Sequence, residues 1–122
     1  MLRWMPVVLL TAMLMLPAAA EAREWRQPWQ ILIDSVTYLR GLPEVAWIRA
    51  EGHHVMIGWI DPPRRFRTLN LTAARYASRA LPKEEVHIVS LRAGQTEWHP
   101  GGDEPSLCAT SARKGEIIET NC

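Results

Sequence analysis

Val45-Ala46-Trp47-Ile48-Arg49-Ala50-Glu51-Gly52-His53-His54-Val55-Met56-Ile57-Gly58-Trp59-Ile60 is the stretch on which the fold turns. Two apolar runs rich in β-branched and aromatic residues flank Glu51-Gly52-His53-His54, a pattern that predicts an antiparallel hairpin over 45–60. A three-residue loop at 51–53 places Val45, Trp47, Val55, Ile57 and Trp59 on one face, with Ala46, Ile48, Met56, Gly58 and Ile60 on the other. Both faces are then apolar. Such a hairpin is either covered on both sides or offers one side to a partner.

Downstream, Asp61-Pro62-Pro63 ends the second strand. Arg64-Arg65-Phe66-Arg67 then leads into Thr68 or Asn70 as the cap of a helix that runs to Leu81 and stops at Pro82. Leu69, Ala73, Tyr76, Ala77 and Ala80 form one stripe on it, and the small residues predict close packing on a sheet. Asn70-Leu71-Thr72 fits a glycosylation sequon, a weak match at a helix start. Val86–Leu91 reads as a third strand. Residues 96–105 contain two prolines, Gly101-Gly102 and the acids Asp103 and Glu104, and read as irregular surface structure. Leu107–Ala112 and Ile117–Cys122 form a last hairpin around Lys114-Gly115-Glu116, in a register that sets Cys108 opposite Cys122.

Upstream, Trp29, Leu32, Ile33, Val36 and Leu39 recur at helical spacing behind Pro28, and Gly41 with Pro43 supplies the stop. A helix over 28–40 is expected. Its β-branched residues leave a strand as the competing reading. The first 22 residues read as an export signal: Arg3, an apolar stretch from Val7 to Leu16, and the small-x-small pattern Ala20-Glu21-Ala22. Pro6 to Ala20 is shorter than the ~20 apolar residues of a spanning helix, so cleavage is favoured over anchoring. Residues 23–122 then form one periplasmic or secreted domain with no transmembrane segment.

The chain of 122 residues carries 14 Lys+Arg against 13 Asp+Glu, and losing Arg3 and Glu21 with the signal leaves the net charge at +1. A nucleic-acid binder normally shows a basic footprint, so that class is excluded. Two cysteines in an exported chain, 14 positions apart at Cys108 and Cys122, predict one structural disulfide rather than a redox or metal-binding thiol pair. The expected fold is α+β: a small single domain with a mixed, mainly antiparallel sheet of four or five strands, two helices and one disulfide. The second helix carries the chain across the sheet between Ile60 and Val86.

Chemistry-bearing residues are scattered. His53, His54, His87 and His99 are the residue type that holds zinc or copper, but they lack metal-motif spacing, and adjacent histidines on a strand point apart. His54 and His87 remain a possible two-ligand pair if their strands adjoin. No Gly-x-Ser-x-Gly elbow and no phosphate-binding glycine loop is present. Arg64, Arg65 and Arg67 cluster before a helix N-terminus, where an anion is favoured. Trp47, Trp59 and Trp98 offer aromatic contact area, although tryptophan in a small domain is more often core.

Two readings follow. The favoured one is an exported, non-catalytic module without a cofactor, binding a protein or anionic envelope component through Arg64, Arg65, Arg67, Trp47 and Trp59. The alternative is a small metal-dependent or hydrolytic enzyme of the periplasm using some of His53, His54, His87 and Asp103.

Overall fold

The computed structural model describes residues 26–122; the export segment expected at 1–22 lies outside the described residues. Pro28 opens helix α1 (Pro28–Val36) at a position where its missing N–H costs nothing. The Gln30 side chain accepts from the Gln27 N–H at 3.0 Å. The expected helix to Arg40 divides into α1 and a 3-10 turn (Thr37–Gly41). Leu32, Val36 and Leu39 are buried along it, while Trp29 is half exposed.

Strands β1 (Val45–Glu51) and β2 (His54–Trp59) follow, then helix α2 (Phe66–Ala80), then β3 (Val86–Arg92), β4 (Cys108–Arg113) and β5 (Glu116–Thr120). The sheet order is β1-β2-β3-β4-β5, with β2 and β3 parallel across the α2 crossover and every other pair antiparallel. This is the α+β single domain that the sequence predicts. α1 lies against α2 and β1, and α2 lies over β3, β4 and β5. Val55, Ile57, Trp59, Val86, Ile88 and Ala112 face the helices and bury against Leu32, Val36, Ala73, Ala74 and Ala77. Removing each of the Val, Leu and Ile side chains among them from water contributes about 1.5–3 kcal/mol.

Both hairpins turn more tightly than expected. Gly52 (φ 59°) and His53 make a two-residue turn with Glu51 paired to His54. Lys114 (φ 52°) and Gly115 (φ 83°) make another, with both residues in the left-handed region that a type I′ turn requires. The extra residue that the three-residue loops would have held sits instead in a bulge in each hairpin. Beyond the first bulge Val45 pairs with Trp59, and beyond the second Thr110 pairs with Thr120, which is the expected alignment. Cys108 and Cys122 therefore meet in a disulfide with a Cα separation of 5.1 Å. Between turn and bulge the faces are exchanged: Trp47 pairs with Gly58 away from the helices, and Ile48 packs into the helix-side core.

Helix α2 begins earlier than expected, with Arg65 rather than Thr68 or Asn70 at its N-cap and no side-chain cap bond. Its buried stripe is Asn70, Ala73, Ala74, Ala77 and Ser78, whereas Tyr76 and Ala80 are exposed. Two polar pairings rotate the helix away from its purely apolar stripe. Asn70 Nδ2 donates to Ser90 Oγ at 2.8 Å, and the same oxygen accepts from Trp59 Nε1 at 3.1 Å, all within the core. Ser78 Oγ accepts from the Gly115 N–H at 2.8 Å, seating the last turn against the helix. A buried polar group costs stability unless it is paired, so α2 turns toward its hydrogen-bonding partners. The Asn70 of the sequon is fully buried.

Candidate site on the helix-free face

The strand registers align one residue from each strand in a row across the face opposite the helices: Glu51, His54, His87, Ser111 and Glu119. Neighbouring strands stand about 4.8 Å apart, so side chains in one row touch. The imidazoles of His54 and His87 stack with centroids 4.4 Å apart and planes 14° apart. His87 Nδ1 is 2.8 Å from Ser111 Oγ. Burial pushes His54 below its ordinary imidazole value; His87 and His53 push the same way, and Glu51 opposes them.

Toward the middle of this face the row gives way to apolar residues. Met56, Val89 and Leu91 form a second buried cluster beneath Trp47, Trp98 and Ala109. The cover is supplied by Trp98, from the segment that joins β3 to β4. β1 fastens it: Trp47 Nε1 donates to the Ala93 carbonyl at 3.0 Å, and Arg49 Nη1 donates to the Thr96 carbonyl at 2.8 Å. The second guanidinium nitrogen of Arg49 reaches the Trp98 carbonyl at 3.5 Å. Where the segment ends over the histidine row it leaves a cleft of about 230 Å³, lined by His54, His87, Trp98, Gly101 and Ser111 among others. Trp98 is tilted over His54 with centroids 5.8 Å apart.

Other residues singled out by sequence lie elsewhere. His53 is in the first turn, 3.9 Å from a Glu84 carboxylate oxygen, and His99 and Asp103 are exposed on the covering segment. Trp59 is fully buried on the helix side and has no surface to offer a partner. Trp47 is half buried as an anchor of the covering segment. Arg64, Arg65 and Arg67 are exposed. Arg67 donates to the Asn121 carbonyl at 3.2 Å and lies over the Phe66 ring. These arginines follow the end of β2, whereas His54 opens that strand, so a six-residue strand of roughly 20 Å separates the two surfaces.

Among the described residues no group of three or more His, Cys, Asp and Glu side chains is placed to hold a metal ion, and no carboxylate pairs with His87. No helix among them is long and apolar enough to cross a membrane. The sequence reading missed Ser111, Glu51 and Glu119. They join the histidines only through strand register, and the one signal for them is their even spacing within strands whose pairing has first to be known. No protein-family model, curated protein or solved structure matches this chain, so the chemistry of the site rests on these residues themselves.

Proposed function

We propose that the mature chain is an exported, non-catalytic module that binds a protein or another envelope component, with the histidine cleft as its principal contact surface. The observation that carries this reading is the row Glu51-His54-His87-Ser111-Glu119, which presents polar side chains on rigid strands beside an aromatic wall formed by Trp98. Binding sites of this type combine apolar walls with a few convergent polar groups. Export is supported by the order of charge, apolar run and small residues before Arg23, and by a disulfide of the kind that persists in an oxidising compartment. Arg64 and Arg65, exposed at the other end of β2, form the second surface, suited to an anionic group.

Capture from envelope extracts of the native host on immobilised mature protein tests this reading. Two variants divide the surface: His54→Ser with Trp98→Ser at the cleft, and Arg64→Glu with Arg65→Glu at the far end. Arg67 is left intact because it holds the Asn121 carbonyl. The cleft variant is expected to lose the captured component, and the arginine variant to lose whatever part of the binding is salt-sensitive. Capture that is indifferent to both variants contradicts the reading.

One contact favours the hydrolytic alternative. Ser111 Oγ and His87 Nδ1 stand at the distance of a nucleophile and its base. A fluorophosphonate probe decides between the two: labelling of Ser111 that His87→Ala abolishes supports hydrolysis, and an unlabelled Ser111 supports a binding module.

A further inference from the structure

We infer that the outer face of helix α2, with Arg65, Arg75, Arg79 and the Tyr38–Tyr76 pair, docks on an anionic phospholipid surface. The inference rests on the reading of Arg64 and Arg65 as a surface for an anionic group, which it extends along the helix, and it stands apart from the histidine cleft.

Between Asp61 and Glu84 the chain holds Arg64, Arg65, Arg67, Arg75, Arg79 and Lys83 and no Asp or Glu. All six cations are exposed. Arg65, Thr68, Thr72, Arg75 and Arg79 recur at intervals of three and four, so they form one stripe, turned away from the buried Asn70, Ala73, Ala74 and Ala77. Folding does not account for this charge. Arg64 and Arg65 stand at the N-terminal end of α2, where the helix dipole opposes a cation, and Arg75 and Arg79 repel each other as an i, i+4 pair. Among the described residues none of the six is paired with a carboxylate, and Arg79 rests against Gly115, beside the exposed Lys114. A docked anionic surface relieves both repulsions at once.

The opposite face carries the reverse sign. Glu51 and Glu119 end the histidine row, and Asp103 is exposed on the segment that holds Trp98. With a net charge of only +1, the chain meets an anionic surface through this one face and is turned by the repulsion of the other. Tyr38 and Tyr76 select lipid among anionic surfaces. Their rings meet edge to face with centroids 5.5 Å apart, each about half exposed, and Tyr76 flanks the arginine stripe. At a bilayer surface such a ring seats at headgroup level with its hydroxyl toward water. The cleft, on the other side of the sheet, stays open while the helix layer rests on lipid.

The test is co-sedimentation of residues 23–122 with vesicles of phosphatidylcholine alone and of phosphatidylcholine mixed with phosphatidylglycerol, at low and at high salt. Binding is expected to the mixed vesicles only, and to weaken as salt rises. Each basic side chain close to an anionic bilayer is worth roughly fivefold, so Arg75→Gln/Arg79→Gln and Arg64→Gln/Arg65→Gln should each weaken binding by about twenty-five-fold. His54→Ser/Trp98→Ser should leave it unchanged. Amide spectra establish that each variant is folded, and if one arginine pair is needed for folding the other remains the measure. No preference for the mixed vesicles, or wild-type binding in the arginine variants, overturns the inference. Binding to polyglutamate as tight as to the mixed vesicles gives the face to an acidic protein and overturns the lipid assignment. If vesicle binding fails while capture from extracts still depends on Arg64 and Arg65, the lipid assignment alone falls. If vesicle binding holds while capture ignores the cleft, the partner reading falls and the lipid face stands.

Discussion

The indole of Trp47 occupies the space that a side chain on Gly58 would need, directly across the β1–β2 pair. That glycine lets Trp47 lie flat on the helix-free face, where Nε1 fastens the covering segment through Ala93. Gly58→Val is therefore expected to lower stability by about 1–3 kcal/mol through overpacking. It should also release the segment, read as faster amide exchange at 93–98 than at Ile88 or Val89. An unchanged melt with unchanged exchange contradicts the packing described.

Ala77 and Ala80 separate the observed helix face from the one that apolar periodicity alone suggests. Ala77 is fully buried against the sheet and Ala80 is exposed. Ala77→Leu should cost about 1–3 kcal/mol in a thermal melt, whereas Ala80→Leu should stay within about 0.5 kcal/mol of the wild type. Equal costs would place α2 at a different rotation.

The disulfide closes the last hairpin beyond its bulge, across a sequence separation of 14. Loop closure of this size is expected to contribute about 3 kcal/mol, lost in a Cys108→Ala/Cys122→Ala variant and read as a drop in the denaturation midpoint. Non-reducing peptide mapping should find the two cysteines linked. Two free thiols in alkylated native protein would contradict the pairing.

Stability should decline in acid. The fold holds His54 below its ordinary value of 6.5, so the unfolded chain takes up a proton that the folded chain resists. The contribution is complete above that value and diminishes as pH falls through it. Melts at about pH 7.5 and about pH 5 should show a larger loss for the wild type than for His54→Gln. An identical loss in both proteins would remove His54 as the cause.

Much of the fold is legible in the sequence because it is written in local patterns. Gly52 and Gly115 mark the turns, Pro28 and Pro82 bound the helices, and the order of elements dictates a crossover through α2. Cysteine register comes out correctly for a reason the sequence does not show, since a bulge in each hairpin makes up for the one residue by which its turn is shorter than expected. Trp47 is assigned to the wrong face for the same reason. The α2 stripe is rotated by Asn70 and Ser78, whose partners Ser90 and Gly115 come from other elements and leave no periodic signal near the helix. The site is least legible, because a row running across five strands has no sequence spacing of its own. Two of its members, His54 and His87, attract attention by residue type alone; Ser111 and the covering role of Trp98 appear only once β3 and β4 are paired and the segment 93–107 is in place.

The most direct measurement for the proposed binding role is a hydrogen-exchange footprint of the protein over residues 23–122, alone and with any component that it retains from envelope extracts. Protection is predicted at His54–Met56, His87–Val89, Ala109–Ser111 and the covering segment around Trp98–Gly101, with the outer surface of α2 at Arg75, Tyr76 and Arg79 unchanged. Protection confined to that outer helix surface, with the histidine row exchanging as in the free protein, would contradict the account.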